Sequence, residues 1–344
     1  MKHLKNILVT GGAGYIGSHT VTKLSEAGFR AIVVDDFRNS YQSVIENLNE
    51  LCLIKPLFFN VDCTNRVVLK RIFETHHIYG VIHFAAYKSV EDSINKPAAY
   101  FQNNINSLVT ITELMNEFNV DKLVFSSSCT VYGEPDSIMV SEDSPLQEAK
   151  TPYGYSKQVG EDFLKFLVKS EDNIIKPIIL RYFNPVGAHP SGLIGELPIN
   201  KPRNLMPLVC QSAAEMIGPI KVFGTDYDTP DGSCIRDFIH VLDLADAHIK
   251  SLDYAKQMDE PLEVFNVGTG RGTSVLELIN SFQAINHIEV PHVLGERRDG
   301  DIVKIYADTT KINNKLNWSS QYSMEDAIAH SWNWQQNLLS QKVF

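Results

Sequence analysis

The sequence predicts an α/β protein built on a doubly wound parallel sheet, with a smaller α/β lobe toward the C-terminus. Three observations carry that prediction. Short, continuously apolar runs alternate with longer helical patterns over the first ~180 residues. A glycine-rich turn separates the first apolar run from the first helical pattern. Beyond Arg181 the texture changes to proline-rich loops.

The predicted strands are Asn6–Thr10, Ala31–Val34, Leu57–Asn60, Gly80–Phe84, Lys122–Ser126 and Pro177–Arg181. Each is short and apolar throughout, as a strand covered by helices on both faces must be. Helical patterns fall at Tyr15–Ala27, Arg66–His76, Pro97–Phe118 and Tyr153–Lys169, with Gly28 placed to end the first. The stretch Asn184–Pro207 holds five prolines and reads as long loops, as does the turn-rich Phe223–Gly232. A further helix is expected over Met324–Leu339. The expected division is residues 1–182 for a dinucleotide-binding domain and 183–344 for a lobe that binds substrate, with some chain returning to the sheet.

Composition narrows the function. With 31 basic and 41 acidic residues the 344-residue chain has a formal charge of −10, which disfavours nucleic acid as a partner. Cys52, Cys63, Cys129, Cys210 and Cys234 are scattered and odd in number, so they form no disulfide framework. No apolar h-region follows the first residues, and no run approaches the ~18 apolar residues of a membrane span. A cytoplasmic enzyme is the expectation. His76 and His77 are adjacent rather than spaced as ligands on a helix face, so no metal is expected.

The glycine turn carries the first chemistry. Gly11, Gly12, Gly14 and Gly17, with Tyr15 and Ile16 among them, stand where a strand hands over to a helix. A dinucleotide pyrophosphate needs backbone N–H groups at a helix N-terminus and no Cβ in the way. Asp35 and Asp36 follow the second strand, where a carboxylate accepts the adenosine ribose hydroxyls and repels a 2′-phosphate. The pattern is therefore of the Rossmann type, with NAD expected over NADP, although Arg38 leaves some tolerance for the latter.

Tyr153 and Lys157 form a Y-x-x-x-K pair at a predicted helix start, where i and i+4 share a face. With 13 tyrosines in the chain, spacing alone proves nothing. The pair gains weight because it follows a strand ending in Ser126-Ser127-Ser128. A lysine ammonium beside a phenol favours the phenolate, and a bound nicotinamide cation would push the same way, which would make Tyr153 a general base.

Gly11–Gly17, Ser126–Gly133 and Tyr153–Lys157 resemble the extended short-chain dehydrogenase/reductase superfamily. Arg181–Gly192, Asn204–Pro207, Asp231-Gly232, Ile235–Val241 and the Arg297–Asp301 run resemble, more closely, the UDP-glucose 4-epimerase family. The resemblance spans essentially the whole chain. It implies Asp35 at the adenosine ribose and Asp62 at the adenine end, with Asp36 standing where relatives have Asn. It implies Phe84, Ala85, Lys88 and Asn103 along the path from pyrophosphate to nicotinamide, with Ser126 and Tyr182 beside it. Ser128 and Tyr153 would contact the sugar 4-hydroxyl, and Lys157 the nicotinamide ribose. Asn184, Asn204, Leu205, Phe223, Arg236, Arg298 and Asp301 would hold the UDP part. Ile305 would gate the substituent on sugar carbon 2. Family members are homodimers, and the same is expected here.

Three rivals remain at this stage. One is a UDP-N-acetylglucosamine or dual-specificity 4-epimerase. A dehydratase would need a carboxylate within Ser128-Cys129-Thr130, and none occurs. An NAD-binding sensor would not require Ser128, Tyr153 and Lys157 together.

Overall fold

A computed structural model describes residues 4–298 and 300–341; Asp299, inside the Arg297–Asp301 run, lies outside them. The first half runs β1 (Asn6–Thr10), α1 (Tyr15–Glu26), β2 (Arg30–Asp35), α2 (Ser43–Leu51), β3 (Leu57–Asn60), α3 (Arg66–Thr75) and β4 (Ile78–His83). It continues through α4 (Val90–Asn95), α5 (Pro97–Glu117), β5 (Lys122–Ser128), β6 (Met139–Val140), α6 (Pro152–Leu167) and β7 (Lys176–Tyr182). Then come β8 (Asn184–Val186), α7 (Leu205–Ala213), β9 (Ile220–Phe223), β10 (Ile235–Arg236), β11 (Phe238–His240), α8 (Val241–Tyr254) and β12 (Glu263–Val267). The chain closes with β13 (Thr273–Ser274), α9 (Val275–Asn286), β14 (His292–Gly295), β15 (Lys304–Ala307), α10 (Thr310–Leu316) and α11 (Met324–Ser340).

Seven parallel strands form the main sheet in the order β12-β7-β5-β4-β1-β2-β3. Alternate residues of each strand enter different cores. Ile7 and Val9 pack with Val21 and Leu24 of α1 and Leu244 and Ala247 of α8. Leu8, between them, packs with Leu69 of α3, Leu108 and Ile111 of α5 and Leu164 of α6. Both faces are dry, which is why the strands read as unbroken apolar runs. Order reverses between β1 and β4, so their carboxyl ends open a crevice at the switch point.

All six predicted strands exist within a residue or two of their expected ends. The seventh, β12, lay outside the prediction, as did α2. The apolar residues of α2 at 44, 45, 48 and 51 keep helical spacing, so its sequence did carry the signal. The smaller C-terminal core gathers Met206, Val209, Leu278, Phe282 and Ile328 from α7, α9 and α11. Two- to four-residue strands surround it, and the stretch read as continuous loop holds β8 and the start of α7. No described helix is long and apolar enough to cross a membrane.

Candidate active site

The glycine turn lies directly at the switch point. Gly11 follows β1 with φ +68°, and a Cβ there would stand 2.9 Å from the Ala85 nitrogen after β4. A Cβ on Gly17 would fall 2.3 Å from the Gly11 carbonyl, so neither position accepts a side chain. Helix α1 starts at Gly14 with no side-chain cap and no acid in its first turn. Its first N–H groups and positive dipole end are thus left for an anion. Tyr15 donates to the Gly187 carbonyl at 2.7 Å, and Ile16 packs onto the core. These features fit a dinucleotide pyrophosphate.

At the end of β2 the Asp35 carboxylate accepts from the Ala13 and Phe37 nitrogens, each at 3.0 Å, and from Ser40 Oγ at 2.8 Å. Asp36 pairs with Arg38 Nε at 2.8 Å; burial nonetheless holds its carboxyl above the usual range. Arg38 also pairs with Asp62 and donates to Tyr87 at 3.0 Å and Asn103 at 3.5 Å. Burial alone would raise the Asp62 carboxyl, but bonds from Thr64 and Arg38 bring it below the ordinary value. Arg38 thus draws Asp36, Asp62 and Asn103 together at the rim. With two carboxylates on it, its charge is poorly placed to receive a 2′-phosphate.

Phe84 sits at the carboxyl end of β4, its ring 4.7 Å from that of His248. Ala85 lies next to it, and Lys88 projects from the loop beyond, half exposed. Ser128 ends β5 in register with Tyr182, which ends β7. Thr151 caps α6 and Pro152 takes its first position, so Tyr153 and Lys157 are presented from its opening turns. Lys157 Nζ donates to the Ser126 carbonyl at 2.6 Å, and the nearby Ser128 hydroxyl draws the Tyr153 phenol downward. Ser126, Ser128, Tyr153, Lys157 and Tyr182 therefore converge at one end of the sheet.

Burial pushes the Tyr153 phenol up to about 12, with the Ser128 hydroxyl opposing, which agrees with the expectation that lysine and the nicotinamide charge act together. Lys157 is itself brought down to about 8 by burial, opposed by the charge of Glu161. Ionising the phenol requires a further positive charge close by.

Behind these residues lies a network absent from the sequence reading. Glu161, fully buried, takes Arg181 Nε at 3.0 Å and Nη2 at 2.6 Å, and Ser127 Oγ at 2.5 Å. Arg181 continues to Tyr132 at 3.0 Å, and Tyr132 to Asn266 at 2.6 Å. Glu161 stands four residues after Lys157 and eight after Tyr153 on one face of α6. An acid on an otherwise buried helical stripe is the signal that could have exposed it.

The other group of predicted residues meets across the smaller lobe. Asp301 Oδ1 lies 3.8 Å from Arg236 Nη2 and 2.5 Å from Arg298 Nη2, and the Arg298 guanidinium stands 5.3 Å over the Phe223 ring. Asn184 opens β8, donating its N–H to the Asp237 carbonyl at 2.9 Å. Buried Asp237 fixes this region, accepting from the nitrogens of Thr269, Gly270 and Ala307 at 2.8–3.1 Å. Asn204 and Leu205 start α7. Ile305, 2% exposed, packs against Val131 and Tyr132 of the turn after Ser128.

A dinucleotide cradle beside a Ser/Tyr/Lys set defines an enzyme that oxidises or reduces a hydroxyl carbon with NAD. Residues 7–268 match the NAD dependent epimerase/dehydratase family. A UDP-glucose 4-epimerase of Dictyostelium discoideum is 45% identical over 96% of this chain and 95% of its own length. The crystal structure of a UDP-glucose-4-epimerase from Stenotrophomonas maltophila, with bound NAD and formylated UDP-arabinopyranose, superimposes with a TM-score of 0.94 at 41% identity, covering 98% of this chain and 99% of that one. That of Bifidobacterium longum, in complex with NAD+ and UDP, gives 0.91 at 39% identity, covering 97% and 98%. The chain belongs to the NAD dependent epimerase/dehydratase family and, within it, to the UDP-glucose 4-epimerases. It is an isomerase, and its cofactor is NAD.

Proposed function

We propose that the chain interconverts UDP-glucose and UDP-galactose through a transient 4-keto sugar, with Tyr153, Ser128 and Lys157 handling the proton. Carbon 4 of a hexose has no acidic hydrogen, so simple deprotonation cannot invert it; oxidation to a ketone removes the stereocentre. Tyr153 Oη takes the 4-hydroxyl proton as the ketone forms and returns it on reduction. Ser128 holds the same oxygen, and Lys157 orients the nicotinamide ribose. NAD, when bound, supplies the reversible two-electron step at carbon 4 and a positive ring charge that favours the phenolate.

Gly11, Gly14, Tyr15, Ile16 and Gly17 cradle the pyrophosphate in this reading, and Asp35 and Asp36 hold the ribose. Asp62, Phe84, Ala85, Lys88, Asn103, Ser126 and Tyr182 line the rest of the cofactor path. Asn184, Asn204, Leu205, Phe223, Arg236, Arg298 and Asp301 anchor UDP, with Arg236 and Arg298 as forked donors to the diphosphate. An anchored UDP leaves the hexose free to turn its other face before reduction.

The chain divides functionally at about Tyr182, with cofactor on residues 1–182 and UDP-sugar mainly on 183–344. Ile305, intermediate in size, permits glucose and galactose and some N-acetylhexosamine; Ile305→Tyr would lower the N-acetyl activity relative to the plain one. The enzyme is a cytoplasmic homodimer in this account, in keeping with its five free cysteines.

The convergence of Ser128, Tyr153 and Lys157 beside the glycine turn carries the proposal. Tyr153→Phe tests it: NAD stays bound while epimer formation is lost. Full activity in that variant would refute the assignment.

A further inference from the structure

Two loops meet over the crevice. One holds Lys88 and leads into α4; the other runs through Glu196 to Asn204 at the start of α7. Lys88 Nζ donates to Glu196 Oε1 at 3.2 Å, and Asn204 Nδ2 donates to that same oxygen at 2.6 Å. The Glu196 side chain is only 11% exposed, against 51% for Lys88. Its backbone is fixed from behind, its carbonyl accepting from Trp334 Nε1 of α11 at 3.3 Å. A second tie runs alongside, Arg203 reaching Ser89 Oγ and lying 3.1 Å from Asp92 and 3.5 Å from Glu91.

We propose that Glu196 is a positioning residue that joins cofactor retention to nucleotide-sugar binding through one carboxylate oxygen. The inference rests on the assignment of Lys88 to the cofactor and Asn204 to the UDP-sugar made above. An ammonium has three donors, so Lys88 keeps two for the cofactor while bonded to Glu196. Asn204 likewise keeps its carbonyl oxygen and one N–H for substrate. Neither ligand has to displace the carboxylate. A ligand on either loop therefore orders the donor that serves the other, and the benefit is reciprocal.

The test follows NAD loss from holoenzyme on warming, by assay of the filtrate, with and without saturating UDP, alongside KM and kcat for UDP-glucose. In the wild type UDP slows NAD loss about fivefold or more, the lower end of ordinary coupling. In Glu196→Ala the UDP effect falls below about twofold and KM rises roughly tenfold, with kcat within about threefold, a loss of one charge-assisted contact. Glu196→Gln, an acceptor without charge, lies between. Arg203→Ala, which cuts only the second tie, keeps the UDP effect whatever it does to melting temperature. No UDP effect in the wild type, or an undiminished one in Glu196→Ala, overturns the proposal. Lys88→Ala and Asn204→Ala separate the two readings. If the first leaves NAD loss unchanged and the second leaves KM unchanged, the underlying assignments fail. If both respond while Glu196→Ala stays coupled, only the link fails.

Discussion

The two ends of the crevice are built on opposite principles. At the Tyr153 end the polar side chains sit on a long helix and central strands, with Lys157 buried, Tyr153 and Ser128 half-buried, and a fully buried carboxylate with a bidentate arginine behind them. At the Arg236 end they sit on two-residue strands and loops, and Arg298 is 61% exposed. Proton transfer at carbon 4 demands placement to fractions of an ångström, which regular elements and packing supply. Capturing a diphosphate demands charge and reach, which the exposed Arg298 and, deeper in, Arg236 supply. Rigidity at one end and compliance at the other suit a reaction in which the sugar must let go and turn.

That contrast can be broken from either side. Tyr153→Phe should lower kcat by about 10²–10⁴ with KM nearly unchanged, read by coupled assay of epimer formation. Glu161→Gln should cost about 3–5 kcal/mol of stability, since it leaves Arg181 charged and buried without its partner. Denaturant unfolding would measure it, and the double variant with Arg181→Met should recover part of the loss. A stable Glu161→Gln would show that the redox end is not held as described. Arg236→Ala should raise KM by roughly tenfold while NAD content stays at wild-type level, the loss of a charge-assisted contact of about 1.5 kcal/mol or more. Arg298→Ala, more exposed, should do less.

A separate effect concerns acid stability. Burial lowers His19, His83 and His240 to about 3 and His248 to about 4. Each stays neutral in the fold while the unfolded chain takes up protons below about 6.5. Their stabilisation is full above that pH and is lost as pH falls toward 3. Melting temperature should therefore drop between pH 7 and 5, and His83→Gln should flatten that slope by about one proton. An unchanged slope would place the acid sensitivity elsewhere.

The same contrast explains what was legible in the sequence. The glycine turn, Asp35 and the Tyr153/Lys157 spacing are local patterns, imposed by a phosphate, a ribose and one helix face, so they can be read without the fold. β12 could not be read so, because Glu263–Val267 is a strand only by pairing with β7, some 80 residues earlier. β8, β10 and β13 are too short for any periodicity. The meeting of Phe223, Arg236, Arg298 and Asp301 joins three separate segments, and only the family resemblance put them on one list. Glu161 was hidden for the converse reason. An acid within a helix usually faces water, and only the tertiary position of Arg181 makes burial tolerable.

The central claim is epimerisation on a cofactor the protein keeps. Its most direct measurement is the interconversion of UDP-glucose and UDP-galactose by purified protein with no added NAD, run beside the N-acetylated pair. The account predicts UDP-galactose from UDP-glucose at a steady rate, with no net reduced cofactor and a slower N-acetyl reaction. Release of a 4-keto sugar, accumulation of NADH, or no product on any sugar with NAD still bound would contradict it.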